Sequence, residues 1–161
     1  MGRDKALVPV DGVPMVDRVI VALRSAGAAT VVTLGGEPRG TGDRHVADRH
    51  PGEGPLGGLV TALEEFPERI VVVVACDMAW LDAPTVRSLV EAVSSGDVAM
   101  AYSDRLEPML GAWRTPALAT LQEAFGSGER AIRNALGSLT VVRVPVPSSV
   151  VRNINRPEDV E

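Results

Sequence analysis

The sequence predicts an α/β domain built on a mostly parallel sheet, with helices on both faces and an antiparallel hairpin at one edge. Three observations carry that prediction. From Pro14 to Gly96, short β-branched runs alternate with segments of helical apolar spacing, which is the rhythm of βαβ units. One of those runs, Arg69-Ile70-Val71-Val72-Val73-Val74-Ala75-Cys76-Asp77, is apolar until it meets a carboxylate, and reads as a strand buried on both faces with Asp77 at its carboxyl end. Further on, Val98 to Tyr102 and Met109 to Trp113 read as strands joined through Ser103-Asp104-Arg105-Leu106-Glu107-Pro108, the predicted edge hairpin.

The elements follow in order. Val16, Val19, Ile20 and Leu23 recur at helical spacing, with Pro14 suited to the first turn and Gly27 to the end. Thr30 to Leu34 is a short strand that runs into Gly35-Gly36-Glu37-Pro38-Arg39-Gly40, too rich in Gly and Pro to continue any element. His45-Val46-Ala47-Asp48 is a weaker strand. Pro51 to Gly58 carries four glycines and reads as a loop before Leu59, Leu63 and Phe66 mark a helix. After the apolar strand, Pro84 opens a helix through Val86, Leu89, Val90 and Val93. Leu118, Leu121 and Phe125 mark another, Ile132 and Leu136 a shorter one, and Thr140 to Val144 a last strand. The segment from Val151 to Asp159 reads as a strand stub feeding a helix capped by Asn155.

Composition bounds the function. A chain of 161 residues suits one domain, 1–161, with 45% hydrophobic and 23% charged residues as in globular proteins. No window holds the roughly 20 apolar residues of a membrane span, and no secretory h-region is visible. A single cysteine fits a reducing, cytoplasmic setting. The net charge of −5 argues against a broad nucleic-acid surface, so an anionic ligand would be held by a few local cations or a metal.

Several residues could carry chemistry. Ligands of open parallel sheets bind at the carboxyl ends of the strands, so Asp77, with Asp82 close behind, could hold a divalent cation; equally, Asp77 could only cap a turn. Lys5 follows a glycine-bearing segment and could meet phosphate as a point charge, with Arg3 adding a planar fork, or both could simply be solvated. The Gly54-Pro55-Leu56-Gly57-Gly58 stretch could present backbone N–H groups to an anion, or serve as a tight connection. Asn153 and Asn155 alternate on an extended segment and would share a side, for a polar ligand or for capping. His45 and His50 lack partners at metal-ligand spacing, and Cys76 has no base beside it in sequence, so these three read as structural.

The order Met1-Gly2-Arg3-Asp4-Lys5-Ala6-Leu7, Asp11-Gly12-Val13-Pro14-Met15, Gly54-Pro55-Leu56-Gly57-Gly58, Ala75-Cys76-Asp77-Met78 and Asn153-Ile154-Asn155-Arg156-Pro157-Glu158-Asp159 resembles the MobA-like nucleotidyltransferases, the molybdenum cofactor guanylyltransferases. The resemblance implies a Rossmann-like nucleotidyltransferase fold that joins GMP from GTP to molybdopterin with Mg²⁺ and releases pyrophosphate. It implies that Lys5 contacts the triphosphate and Asp77 holds Mg²⁺. Arg3, Asp48, Gly54, Pro55, Leu56 and Gly57 would lie on the nucleotide side, and Asn153 with Asn155 on the pterin side. Partners beyond GTP and molybdopterin would be transient contacts with other molybdenum cofactor enzymes, with neither nucleic acid nor membrane. The family pattern opens with a strand and a glycine-rich loop, Leu-x-Gly-Gly-x-x-x-Arg, that this sequence is expected to lack, and Ala79 stands where the family often has proline. Base and acceptor stay open between this reading, a molybdopterin cytidylyltransferase, a cobalamin-pathway guanylyltransferase and a non-catalytic nucleotide-binding relative.

Overall fold

The computed structural model describes residues 4–67 and 69–152. In chain order these form β1 (Pro9–Val10), β2 (Val13–Pro14), α1 (Met15–Ser25), β3 (Val32–Leu34), β4 (Arg44–Val46), α2 (Gly54–Glu65), β5 (Ile70–Val74), α3 (Ala83–Ala92), β6 (Val98–Tyr102), β7 (Leu106–Arg114), α4 (Ala117–Gly126) and β8 (Val141–Pro145), with single 3₁₀ turns at Lys5–Leu7, Val93–Ser95 and Ile132–Leu136. Among the described residues no helix is long and apolar enough to cross a membrane. Arg3, Asn153 and Asn155 lie outside the described residues.

The main sheet has the order β5-β7-β6-β8, and a separate parallel pair is formed by β3 and β4. Strand β7 runs antiparallel to both β5 and β6, and β8 runs parallel to β6, so β7 is the reversed strand of an otherwise co-directional sheet. The expected hairpin therefore forms, but inside the sheet and not at its edge. Its sequence explains the placement: Leu110, Ala112 and Trp113 are fully buried, leaving no polar face to turn to water, and β8 pairs along the outer side of β6.

Period-two alternation distributes the strand residues between two cores. Ala99, Ala101, Leu110 and Ala112 pack with Val19 and Ala22 of α1 and Val86 and Leu89 of α3. Val98, Met100 and Trp113 pack on the opposite face against Leu56, Leu59, Val60 and Leu63 of α2 and Ala117 and Leu121 of α4. Helices thus cover both faces, as expected, and β5 contributes to both, Val72 and Val74 to one and Val71 and Val73 to the other.

Three local expectations are corrected. The β5 strand is not buried throughout: Ile70 is 50% exposed and Val71 to Val74 are half-buried. The cause is its open edge, because a cavity of about 560 Å³ lined by Val31, Val32, Ile70, Val71, Val72 and Val90 separates β5 from β3. The weak strand expected at 45–48 is Arg44–Val46, and Asp48 lies beyond it. The expected loop before α2 is already helix from Gly54, where Pro55 occupies the first turn and Leu56, Leu59, Val60 and Leu63 form its buried stripe.

Near the N-terminus, β1 and β2 form a two-residue hairpin through Asp11 (φ 50°) and Gly12 (φ 79°), the backbone of a type I′ turn. Arg18 of α1 locks this hairpin to the segment after β5, donating from Nε to the Ala79 carbonyl at 2.9 Å and from Nη1 to the Val10 carbonyl at 3.3 Å. Ala79 is itself buried, so the turn after β5 is held from outside without a proline.

Candidate active site

Asp77 lies in the turn that follows β5, where Ala75 adds one further backbone bond to Met109 (2.9 Å) and Met78 N–H closes onto the Ala75 carbonyl (3.2 Å). The turn is thus closed by backbone, which leaves the Asp77 carboxylate to other use. Its Oδ2 accepts from Lys5 Nζ at 2.7 Å, across 72 residues of sequence. Its Oδ1 is buried and has no hydrogen-bond partner among the described residues. A buried, orphaned carboxylate oxygen is unfavourable unless a ligand satisfies it.

Lys5 is brought there by local chemistry. The Asp4 carboxylate caps the Lys5–Leu7 turn, Oδ1 accepting from Ala6 N–H at 3.1 Å. Ala6 is fully buried against Val16, Ile20 and Val31, with Cys76 packed beside them, which anchors the turn next to the end of β5. Lys5 is also the only lysine among the chain's 16 Lys and Arg residues. At this one position the chain uses a compact ammonium on a flexible stem in place of a planar fork.

The other oxygen of Asp4 meets Arg39, whose Nε donates to Oδ2 at 2.6 Å. That guanidinium holds the Asp4 carboxyl below its usual value of 3.8. Two cations and two carboxylates therefore interleave at the carboxyl end of β5. Cys76 feels these charges; burial, and then the Asp77 charge, push its thiol above its usual value, so at neutral pH it is no thiolate nucleophile.

The remaining predicted residues fall into distinct places. Asp48 accepts at Oδ1 from His50 N–H (2.9 Å) and Thr61 Oγ1 (3.2 Å), ordering the turn that enters α2. Leu56 is buried in the core, and its N–H is donated to the Arg130 carbonyl at 3.2 Å. A Cβ on Gly57 would meet His50 Cβ at 2.8 Å, and one on Gly54 (φ +80°) would meet the Arg130 carbonyl at 3.1 Å, so both glycines serve close packing at the helix start. Asp82 is not part of the site: it caps α3, Oδ1 accepting from Thr85 N–H at 2.8 Å. His45 contacts Thr33 Oγ1 at 3.2 Å and His50 packs on Phe125, the structural roles expected of them.

A divalent cation fits this donor set in one respect that the structure displays, the orphaned Asp77 Oδ1. Among the described residues no three Asp, Glu, His or Cys converge into a cage, as a zinc site would require. Mg²⁺, by contrast, is commonly held by one or two carboxylates together with substrate phosphates. Of the four residues brought together here, the sequence marks Asp77 and Lys5 as candidates and does not mark Arg39 and Asp4. The signal for Asp4 was its place immediately before the Lys5 turn; Arg39 had none.

Comparison with known proteins bears on the family and the fold. A molybdenum cofactor guanylyltransferase of Xanthomonas euvesicatoria is 36% identical over 165 residues, 98% of this chain and 84% of that protein. One from Rhodobacter capsulatus is 32% identical over 99% of this chain and 85% of its own length. The solved structure of molybdopterin-guanine dinucleotide biosynthesis protein A from Archaeoglobus fulgidus superposes with a TM-score of 0.76 at 25% identity, covering 99% of this chain and 88% of that one. A cytidylyltransferase for 2-C-methyl-D-erythritol 4-phosphate from Thermus thermophilus shares the fold, with a TM-score of 0.74 at 20% identity. The family model of the MobA-like NTP transferase domain matches residues 1–142, and with relatives this similar over nearly its whole length the chain belongs to that family.

Proposed function

We propose that this chain transfers GMP from GTP to the phosphate of molybdopterin, releasing pyrophosphate, with Mg²⁺ held at Asp77. The observation that carries the reading is the Asp77 carboxylate, with one oxygen on Lys5 and the other buried and unsatisfied beside it. Attack of a phosphate on the α-phosphorus of a triphosphate brings anions together, so catalysis needs alignment and charge neutralisation more than a protein nucleophile. The bound cation supplies Lewis-acid neutralisation of phosphate oxygens.

This chain's own residues do the rest. Lys5 exchanges its contact with Asp77 for the triphosphate, and its ammonium then balances charge that builds on the leaving pyrophosphate. Asp4 remains on the Ala6 N–H and keeps the Lys5 turn in place. The Asp48 turn lies on the nucleotide side, and Asn153 with Asn155 take the pterin.

The test is pyrophosphate release from GTP with molybdopterin and Mg²⁺, in the parent chain and in Asp77→Asn. The near-isosteric change should lower turnover about 10²- to 10³-fold while the thermal midpoint holds, the scale of losing one preorganised electrostatic contact. Unchanged turnover removes Asp77 from the site, and turnover with CTP in place of GTP overturns the guanine assignment.

A further inference from the structure

The loop after β3 takes part in none of the steps above, yet it touches both halves of the site. The Arg39 side chain is only 15% exposed, and besides its bond to Asp4 it reaches the Gly35 carbonyl from Nη1 at 3.4 Å. At Gly36 the φ of +65° disfavours any side chain, and a Cβ there would stand 3.0 Å from Arg39 Nη2 and press on the guanidinium. Gly35 (φ +70°) donates its N–H to the Val46 carbonyl at 3.0 Å, and a Cβ on it would lie 3.5 Å from Asp48 Cβ. The glycine pair thus folds the backbone tightly around one guanidinium and against Asp48 on the other side. On the near side, the contacts run from Arg39 to Asp4, from Asp4 to the turn it caps, and from that turn through Lys5 to Asp77.

Resting on the function proposed above, we infer that Arg39 is a positioning residue for nucleotidyl transfer, acting through Asp4 to fix the turn that carries Lys5. A turn of three residues, Lys5–Leu7, has little stability of its own, and lysine's long stem makes its ammonium only as well placed as its backbone. Arg39 also neutralises Asp4. Without it, a second carboxylate beside Asp77 competes for the same ammonium and faces the incoming triphosphate. Arg39 need not touch substrate to matter.

Lys5, as the chain's only lysine, provides a direct readout. Arylation of its amine by trinitrobenzenesulfonate, which places a trinitrophenyl group on the nitrogen and releases sulfite, is followed at the peptide that carries it and reports how firmly it is held against Asp77. In Arg39→Gln, labelling should be several-fold faster, and kcat should fall about 10- to 100-fold, the scale of a small misplacement, with a smaller change in the KM for GTP. Arg39→Lys, which keeps a cation at Asp4, should recover part of the kcat and slow the labelling of Lys5 again. Either variant, once its thermal midpoint shows it folded, suffices for the test. Unchanged labelling of Lys5, or faster labelling with kcat unaltered, overturns the inference. A parent chain that releases no pyrophosphate from GTP defeats the proposed function instead, and labelling then decides the positioning role alone.

Discussion

The two flanks of β5 are built to different standards. On one side β5 pairs with β7 residue for residue from Ile70↔Arg114 to Val74↔Leu110, and β7 continues into β6 and β8 with core on both faces. On the other side lies the cavity, and beyond it the short β3–β4 pair, joined to the rest through the shared face of α1 and through ion pairs such as Arg44–Glu65, Arg49–Glu64 and Arg24–Asp43. Those pairs are solvent-exposed, and such pairs contribute at most about 1 kcal/mol each. Packing on two faces therefore fixes one half of the molecule, and a smaller apolar cluster with exposed ion pairs tethers the other. The candidate active site lies where the halves meet, with Asp77 on the packed side and Arg39 and Asp48 on the tethered one.

Three measurements probe that contrast, beginning with the largest effect. Trp113→Ala, deep in the packed half and fully buried, should lower unfolding stability by about 3–5 kcal/mol in denaturant titration. Trp113→Phe should cost clearly less, because the indole Nε1 has no hydrogen-bond partner to lose. On the cavity side, Ile70→Ala should cost about 1 kcal/mol or less, since that side chain is already 50% exposed. A loss as large as that of Trp113→Ala would erase the difference between the flanks and mean that Ile70 is covered in solution.

The smallest effect is in acid. Asp4 has a lowered pKa, so its contribution is complete above its ordinary value of 3.8 and is lost as pH falls through the lower folded value. Below that ordinary value, stability of the parent should fall more steeply than that of Asp4→Asn, which keeps the cap without the titrating charge. Matching pH profiles would detach the Arg39–Asp4 pair from the tethered half's stability.

Legibility in the sequence follows the same division. The packed half was readable because its signals are periodic: the apolar run of β5, the spacing of Val86 and Leu89 in α3, and the Leu118, Leu121 and Phe125 pattern of α4 all correspond to elements present. Gly54 to Gly57 misled, because glycine content suggested a loop while the Leu56, Leu59, Val60 and Leu63 stripe already marked a helix. The Asp11-Gly12 turn was a hairpin signal left unread, since its strands are two residues each and both contain proline. Asp77 and Lys5 are legible as candidates one at a time, by a strand end and by a charge type, but their 2.7 Å contact depends on tertiary structure. Arg39 was invisible for the same reason. Nothing local to Gly35-Gly36-Glu37-Pro38-Arg39 distinguishes an exposed arginine from one wrapped by its own loop.

The cavity beside β5 also bears on how the protein opens. A gap lined by aliphatic side chains, with little backbone pairing across it, divides the molecule into units of unequal local stability, and fluctuations that expose amides should begin at β3 and β4 while β6 and β7 hold until global unfolding. Because Arg39 and Asp48 belong to the first unit and Asp77 to the second, each such fluctuation changes the spacing of the candidate site's residues. A nucleotide that spans the two would act as a clasp, and its binding energy would appear partly as rigidity in strands it never touches.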